Sequence, residues 1–592
     1  MIRTAAINLR ALPAAIVVVI AVACGGSALA VDEGAAAAPD APTAQPAATA
    51  FVPALPTSTS VVPDGVTTPD AGDATEVADS GTAEVIGAAS ASDERVAYIA
   101  LTAEIGSLDP SAVSEGSLSE GLVRALFAGL FRLNADGIAA DLVDSWSVSP
   151  DGLLQTFILN SDVRWSDGTA LTAHDAVFGI LRSLDPANAS PDQTLLASVI
   201  RGGAEYLVDE ADASFVGVRA TDDTTLVVET NIPASFLPSL LARPSAFPQP
   251  RHLAEGDPDW FDSADIVSSG PFRVINRVPG GNLVLARNPD YNGSGIARLD
   301  GIVFVSAPTD AAAAMVENGV ANAIVGLTTP LSKSEISPSP SLAAEVVSGR
   351  SAYSLRFDVS QPPFDNVLVR RAFGVAIDRA ALISETADGP SRSASTLTPP
   401  GVPGGAPSGS GIGLDFDVQR ARDLLAEAGY PDFHALEGFT LSFAGGGNGP
   451  AVADAISQFW RQAFGLIVPV AEVERVDGAW SQQAGPTVWI ERHESPYLDA
   501  DGWLRILYRS DSVLNVGGYA EDSFDAAVDQ GAIFTELPDR ARAYRQAETI
   551  LVQIDVAAVP LFVEDVYRWS QAGLAESLAP DGSVLLESWD IR

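Results

Sequence analysis

Lysine is nearly missing from this chain. Lys333 is the single one in 592 residues, and arginine supplies the rest of the 34 basic side chains. Acidic residues number 76, for a formal net charge of −42, which argues against nucleic acid as a partner because its phosphates would be repelled. Cysteine is reduced to Cys24, so neither an internal disulfide nor a thiolate metal cluster can form. The four histidines, His174, His252, His434 and His493, stand far apart, and nothing resembles an H-E-x-x-H motif or a His-rich site. No cofactor is implied. A secreted hydrolase would find carboxylates in plenty, but no G-x-S-x-G and no Cys–His pair. Asp499-Ala500-Asp501-Gly502 lacks the later ligands of a calcium loop. Gly409-Ser410-Gly411-Ile412-Gly413 has no strand before it and reads as linker.

What is present begins with export. Arg3 and Arg10 precede an apolar run from Ala11 to Ala23. As a helix this run spans about 20 Å, short of a bilayer core of roughly 30 Å, so it reads as a secretory signal and not as a membrane span. Ala21-Val22-Ala23-Cys24 resembles a lipobox, with Ala21 at the usual leucine position. Cys24 is then the expected lipidation site and membrane anchor. The alternative is an ordinary signal cleaved near Ala28-Leu29-Ala30. Residues 25–94 are rich in Ala, Pro, Thr, Ser and Gly and carry eleven acidic residues with no basic one. Such a segment cannot bury enough apolar surface to offset its ordering entropy, and is expected to be a disordered tether. Its r.m.s. span would be about 45 Å, lengthened by charge repulsion. Beyond it, a hydrophobic content of 47% fits a globular body with several subdomains.

That body is organised around one stretch. Phe157-Ile158-Leu159 reads as a strand, Asp167-Gly168 as a turn, and Thr172-Ala173-His174-Asp175 as a helix start in which Thr172 accepts an N–H of the first turn and Asp175 reaches back. Ala176, Val177, Ile180, Leu181 and Leu184 give the helix one apolar face. Trp165 reads as a packed residue and His174 as a surface one. Later, Asp365 is placed to cap a helix whose stripe is Val369, Phe373, Ala376, Ile377 and Ala380, and Arg370 suits an internal ion pair. Asp417-Val418 starts a helix carrying Ala421, Leu424, Leu425 and Ala428, with Gly429 suited to the left-handed position after its last turn.

Trp165-Ser166-Asp167-Gly168 through Thr172-Ala173-His174-Asp175-Ala176-Val177 resembles the W-S-D-G-x-x-[LF]-T-A-x-D-V signature of bacterial extracellular solute-binding proteins of family 5, the dipeptide-, oligopeptide- and nickel-binding components of ABC importers. Further motifs follow in the family's order. They include Leu108-Asp109-Pro110, Ser269-Gly270-Pro271-Phe272, Arg287-Asn288-Pro289-Asp290-Tyr291, Pro363-Phe364 through Ala376-Ile377-Asp378-Arg379, Asn515-Val516-Gly517-Gly518-Tyr519 and Val559-Pro560-Leu561-Phe562. Asn292 replaces the usual aromatic after Tyr291, and Asn322 stands where the family has an acid.

The resemblance implies an α/β, two-lobed periplasmic-binding-protein-like fold (type II, cluster C) with an additional subdomain. By analogy lobe I takes 95–132, 267–350 and 565–592, the extra subdomain 133–266, and lobe II 351–564. It implies a monomeric receptor, not an enzyme. A small molecule or peptide would be enclosed between the lobes and delivered to a permease and ATPase complex. The alternatives are a secreted hydrolase and a surface lipoprotein that kept the fold without uptake. Ligand contacts are expected at Glu115, Trp489, Glu491, Arg492, His493, Tyr519 and Phe562. In peptide-binding members an acid shortly after this tryptophan pairs the peptide ammonium. Counted two residues on, that acid is Glu491. Counted by the W-C-A-D pattern its place is held by Arg492, whose guanidinium would prefer a carboxylate or phosphate.

Overall fold

The computed structural model describes residues 95–591 apart from short internal stretches, chiefly 326–341, 481–486 and 576–584. Cys24, the tether 25–94 and Glu115 lie outside the described residues.

Period-two burial builds the sheet nearest the signature. In strand Leu154–Leu159, Gln155, Phe157 and Leu159 are buried while Ile158 faces out. It pairs antiparallel with Val143–Val148 and Thr225–Glu229, and Val218–Ala220 completes a four-stranded sheet. Helix Ala173–Leu184 lays Ala176, Ile180 and Leu184 on Phe157, Leu226 and Val228 of that sheet. Gly168 takes φ +88°, which a side chain would resist. The expected capping box is present, with the Thr172 side chain facing the Asp175 N–H and the Asp175 carboxylate accepting the Thr172 N–H at 2.8 Å. The Thr172 hydroxyl also lies 3.1 Å from Asp175 Oδ2. The carboxylate of Asp175 thus satisfies the chain entering the helix and sits at its positive end.

The signature also ties this subdomain to its neighbour. Trp165 is buried with Phe247, Trp260 and Leu122, and Ser166 N–H donates to Ser268 O at 2.8 Å. Asp109 accepts both terminal nitrogens of Arg182 at 2.6 and 2.8 Å. Asn288 N–H donates to Pro271 O at 2.8 Å, and its amide to Gly270 O at 2.9 Å. The motifs bond to one another as scaffold.

A seven-stranded sheet runs in the order Leu342–Val347, Val566–Gln571, Ala323–Val325, Val96–Leu101, Gly301–Ser306, Leu283–Arg287, Phe272–Arg277. A six-stranded sheet runs Ser391–Ser393, Ala558–Glu564, Ala352–Phe357, Val488–His493, Leu441–Phe443, Val470–Glu472. One face of the second sheet packs on helices Val367–Val375, Val418–Glu427 and Gly449–Phe464 through Phe373, Leu424, Trp460 and Phe464. The other face meets helices Asp501–Tyr508, Asp522–Ile533 and Leu537–Glu548.

Three expectations change here. Asn366, not Asp365, caps the helix, its side chain accepting the Leu368 N–H. The helix stops at Val375, and a second, Arg379–Thr386, starts from Asp378, which accepts the Ala380 and Ala381 N–H groups. Ala380 therefore leaves the stripe and is exposed. Arg370 binds carbonyl oxygens of Phe364, Asp365, Asp555 and Val556 instead of a carboxylate, so it clamps two chain turns together. Residues 132 and 133 lie within strand Phe131–Asn134, half of a hairpin with Gly137–Ala140.

Candidate ligand-binding site

Two chain passages join the large sheets. Residues 348–351 lead from Leu342–Val347 into Ala352–Phe357, and Asp565 leads from Ala558–Glu564 into Val566–Gln571. The passages touch: Gly349 N–H donates to Asp565 Oδ1 at 3.0 Å, and Glu564 N–H to Ser351 O at 3.0 Å. A Cβ on Gly349 would stand 1.8 Å from Glu564 O, so only glycine lets them approach. Asp565 also pairs with Arg392 at 3.0 Å, and burial pushes its carboxyl above the usual range.

Strand Val488–His493 is sandwiched in the second sheet and presents alternate residues to two faces. Val488 and Ile490 join the core formed with helix Gly449–Phe464. Trp489 and Glu491 turn to the opposite face. Trp489 is fully buried, and its Nε1 donates to Glu491 Oε2 at 3.0 Å. Glu491 is 4% exposed and accepts Arg356 Nη1 at 3.2 Å. The Arg356 guanidinium lies 5.1 Å from the Trp489 ring and 4.6 Å from the Tyr508 ring, and it donates to Leu507 O at 2.9 Å. Glu491 is thus the internal counter-ion of a desolvated arginine.

Arg492 points the other way, at the strand end, opposite Tyr353. Its Nε donates to Glu564 Oε2 at 3.0 Å and its Nη2 to Ser351 Oγ at 2.7 Å. The side chain remains 43% exposed. Beside it, Ser351 Oγ donates to Glu494 Oε2 at 2.9 Å, and Arg350 pairs with Glu494 Oε1 at 3.2 Å. Tyr353 OH accepts Asn448 N–H at 3.2 Å; burial first, and then Glu564, push this phenol up to about 12. Phe562 stacks on Tyr353 with centroids 4.5 Å apart and is fully buried. His493 is half-buried with Nε2 3.2 Å from Gly502 O, edge-on to Trp503, and burial pushes its imidazole down toward the neutral form. Tyr519 is 6% exposed and donates to Asp555 Oδ2 at 2.7 Å.

The described candidates therefore divide. Arg492 and His493 keep accessible surface; Trp489, Glu491, Tyr519 and Phe562 are packed into the body built on the six-stranded sheet. Sequence reasoning did not single out Arg350, Ser351, Glu564 or Arg356. A signal existed for three of them, since polar Arg350-Ser351 and Glu564-Asp565 sit at the expected chain crossings.

Loop 496–501 reaches the smaller subdomain. Tyr497 stacks on Phe236 at 4.8 Å, and Arg243, itself paired with Asp192 at 2.6 Å, donates to Pro496 O. Asp499 and Asp501 are held by Arg540 and Arg505 at 2.6 and 3.0 Å, so this acidic run is consumed by internal pairs. Among the described residues, no group of three or more His, Cys, Asp or Glu could hold a metal ion, and no helix is long and apolar enough to cross a membrane.

Residues 137–514 match the family profile described as bacterial extracellular solute-binding proteins, family 5 middle. The chain belongs to that family. A probable deoxycholate-binding periplasmic protein of Escherichia coli, YgiS, is 29% identical over 478 residues, covering 78% of this chain and 87% of YgiS. The oligopeptide-binding protein OppA of Bacillus subtilis is 26% identical over 472 residues, covering 77% and 85%. Among solved structures, the murein tripeptide-binding protein MppA in its unliganded open form superposes with a TM-score of 0.74 at 22% identity, over 84% of this chain and 98% of that one. Haemophilus influenzae OppA in complex with the peptide RPPGFSPFR gives 0.55 at 25% identity, over 84% and 99%. This family-5 protein is accordingly an extracytoplasmic solute binder with the two-lobed α/β fold.

Proposed function

We propose that this protein is the receptor of an ABC importer and closes on a solute bearing a carboxylate, a peptide in the first instance. In this reading the seven-stranded sheet is the centre of lobe I, the six-stranded sheet that of lobe II, and the four-stranded sheet that of the extra subdomain. The observation that carries it is the half-exposed Arg492 guanidinium at the junction of the two sheets, bonded to Ser351 on the first passage and to Glu564 at the end of the strand entering the second. An arginine fork suits a planar carboxylate better than an ammonium group, which the neighbouring Glu491 cannot serve while it neutralises Arg356. Relatives named for oligopeptides and for deoxycholate support the class, since both ligands carry a carboxylate.

Anchoring through Cys24 and delivery to a permease belong to the same reading, with 25–94 as the tether between membrane and globule. Thermal stabilisation by a panel of tripeptides, tripeptide amides, deoxycholate and inorganic anions tests it. Free-carboxylate ligands should raise the melting temperature without being turned over, and Arg492→Ala should remove the shift. A shift that survives Arg492→Ala, or turnover of the ligand, defeats the proposal. Cys24→Ser should release the protein from the membrane into solution, and retention would count against lipidation.

A further inference from the structure

The cation of the binding site is also a hinge residue. Arg492 bonds Ser351 on the first passage and Glu564 at the end of the strand entering the second, 141 and 72 residues away in sequence. Those passages are held to each other by the Gly349 N–H on the Asp565 carboxylate and the Glu564 N–H on Ser351 O. We infer that Glu564 is the resting occupant of Arg492, and that a ligand carboxylate displaces it, so that filling the site releases a restraint on the hinge. The inference rests on the reading of Arg492 given above.

The charges and exposures fit an exchangeable contact. The pair is partly open, with side-chain exposures of 43% for Arg492 and 24% for Glu564. An ion pair in such a setting contributes little, so a ligand carboxylate can replace it at small cost. The Arg356–Glu491 pair on the other face of the same strand is sealed, at 2% and 5%, and could not exchange in this way. Glu564 is also not marooned when displaced, because its remaining exposure leaves it access to water. Glu494 lies on the same side, but it is already engaged by Arg350 and Ser351. Among the described residues, Glu564 is the carboxylate in direct contact with Arg492, and it ends the strand that runs into the second passage. The consequence is selectivity: a ligand without a carboxylate cannot replace Glu564 and leaves the restraint in place.

The test uses the full chain with Cys24→Ser, trialanine and trialanine amide as probes, and two readouts. Calorimetry gives affinities for the starting protein and for Glu564→Gln. Spin labels on Val320→Cys and Ile467→Cys, both at exposed positions in the starting structure, give lobe-to-lobe distances without ligand. Glu564→Gln should bind trialanine about two- to fivefold tighter, the range for removing a partly exposed competing pair, and leave the amide unchanged. It should also broaden or shift the ligand-free distance distribution. Unchanged or weakened trialanine affinity overturns the competition, and an unchanged distance distribution overturns the hinge restraint. If neither peptide binds the starting protein while the distances still respond to Glu564→Gln, the peptide reading fails and the hinge restraint stands.

Discussion

The sharpest prediction concerns Glu491→Gln. The substitution keeps shape and removes charge from a residue that is 4% exposed. Arg356, 1% exposed, would lose the Glu491 carboxylate at 3.2 Å while keeping Leu507 O at 2.9 Å. Breaking one partner of a buried pair costs about 3–5 kcal/mol. Part of that is recovered, because a glutamine oxygen still accepts a neutral hydrogen bond, and because Trp489 and Tyr508 flank the guanidinium at 5.1 and 4.6 Å. A net loss of about 2–3 kcal/mol follows from those two terms. Urea denaturation followed by circular dichroism measures it. The double variant Arg356→Met with Glu491→Leu removes both charges and should recover most of the loss, with a coupling of about 1.5 kcal/mol or more. If Glu491→Gln leaves the midpoint where it was and abolishes ligand binding instead, the carboxylate serves the ligand and the pairing argument is refuted.

Arg492→Ala should cost less than about 1 kcal/mol in the same titration, because its pair with Glu564 is half open. A loss of several kcal/mol would make it a structural residue. Gly349→Ala would press a methyl against Glu564 O, 1.8 Å from its ideal position, and should cost about 1–3 kcal/mol and separate the passages. A melting temperature equal to that of the unaltered protein would show that the passages do not need their close approach. Asp499 is fully enclosed, and burial pushes its carboxyl up to about 6 despite Arg540. A carboxyl raised from its unfolded value of 3.8 keeps its proton longer in the folded state. The folded protein is thus favoured below pH 4, and that contribution is lost as pH climbs to about 6. Relative to Asp499→Asn, the unaltered protein should lose at most about 3 kcal/mol across that window, and equal pH slopes would contradict the assignment.

Several features were legible because they depend only on neighbours in sequence. The helix start at Asp417, which accepts Arg420 N–H at 2.8 Å, needs no more than the local chain. So does the apolar spacing of Ala176, Ile180 and Leu184. The cap at Asn366 was misplaced by one residue because two polar side chains compete there and turn geometry chooses between them. The break after Val375 was hidden because Ala376 and Ile377 continue the apolar pattern and stay buried outside the helix.

The candidate site was legible as a region and not as a set of roles. Trp489 marked the strand, and the ordered motifs marked the family. Order along the chain and period within an element are properties of the sequence itself, so family membership, the strand and the local turns were determined there. Glu491 and Arg492 are adjacent, and a sequence cannot say which of two neighbours faces a core. The tertiary structure decided it through residues far away. Arg356, 135 residues before Glu491, drew that acid inward, and Glu564, 72 residues after Arg492, held the guanidinium at the sheet junction. Alternation along a strand sends neighbours to opposite faces, and only the partners assembled by folding give each face its chemistry.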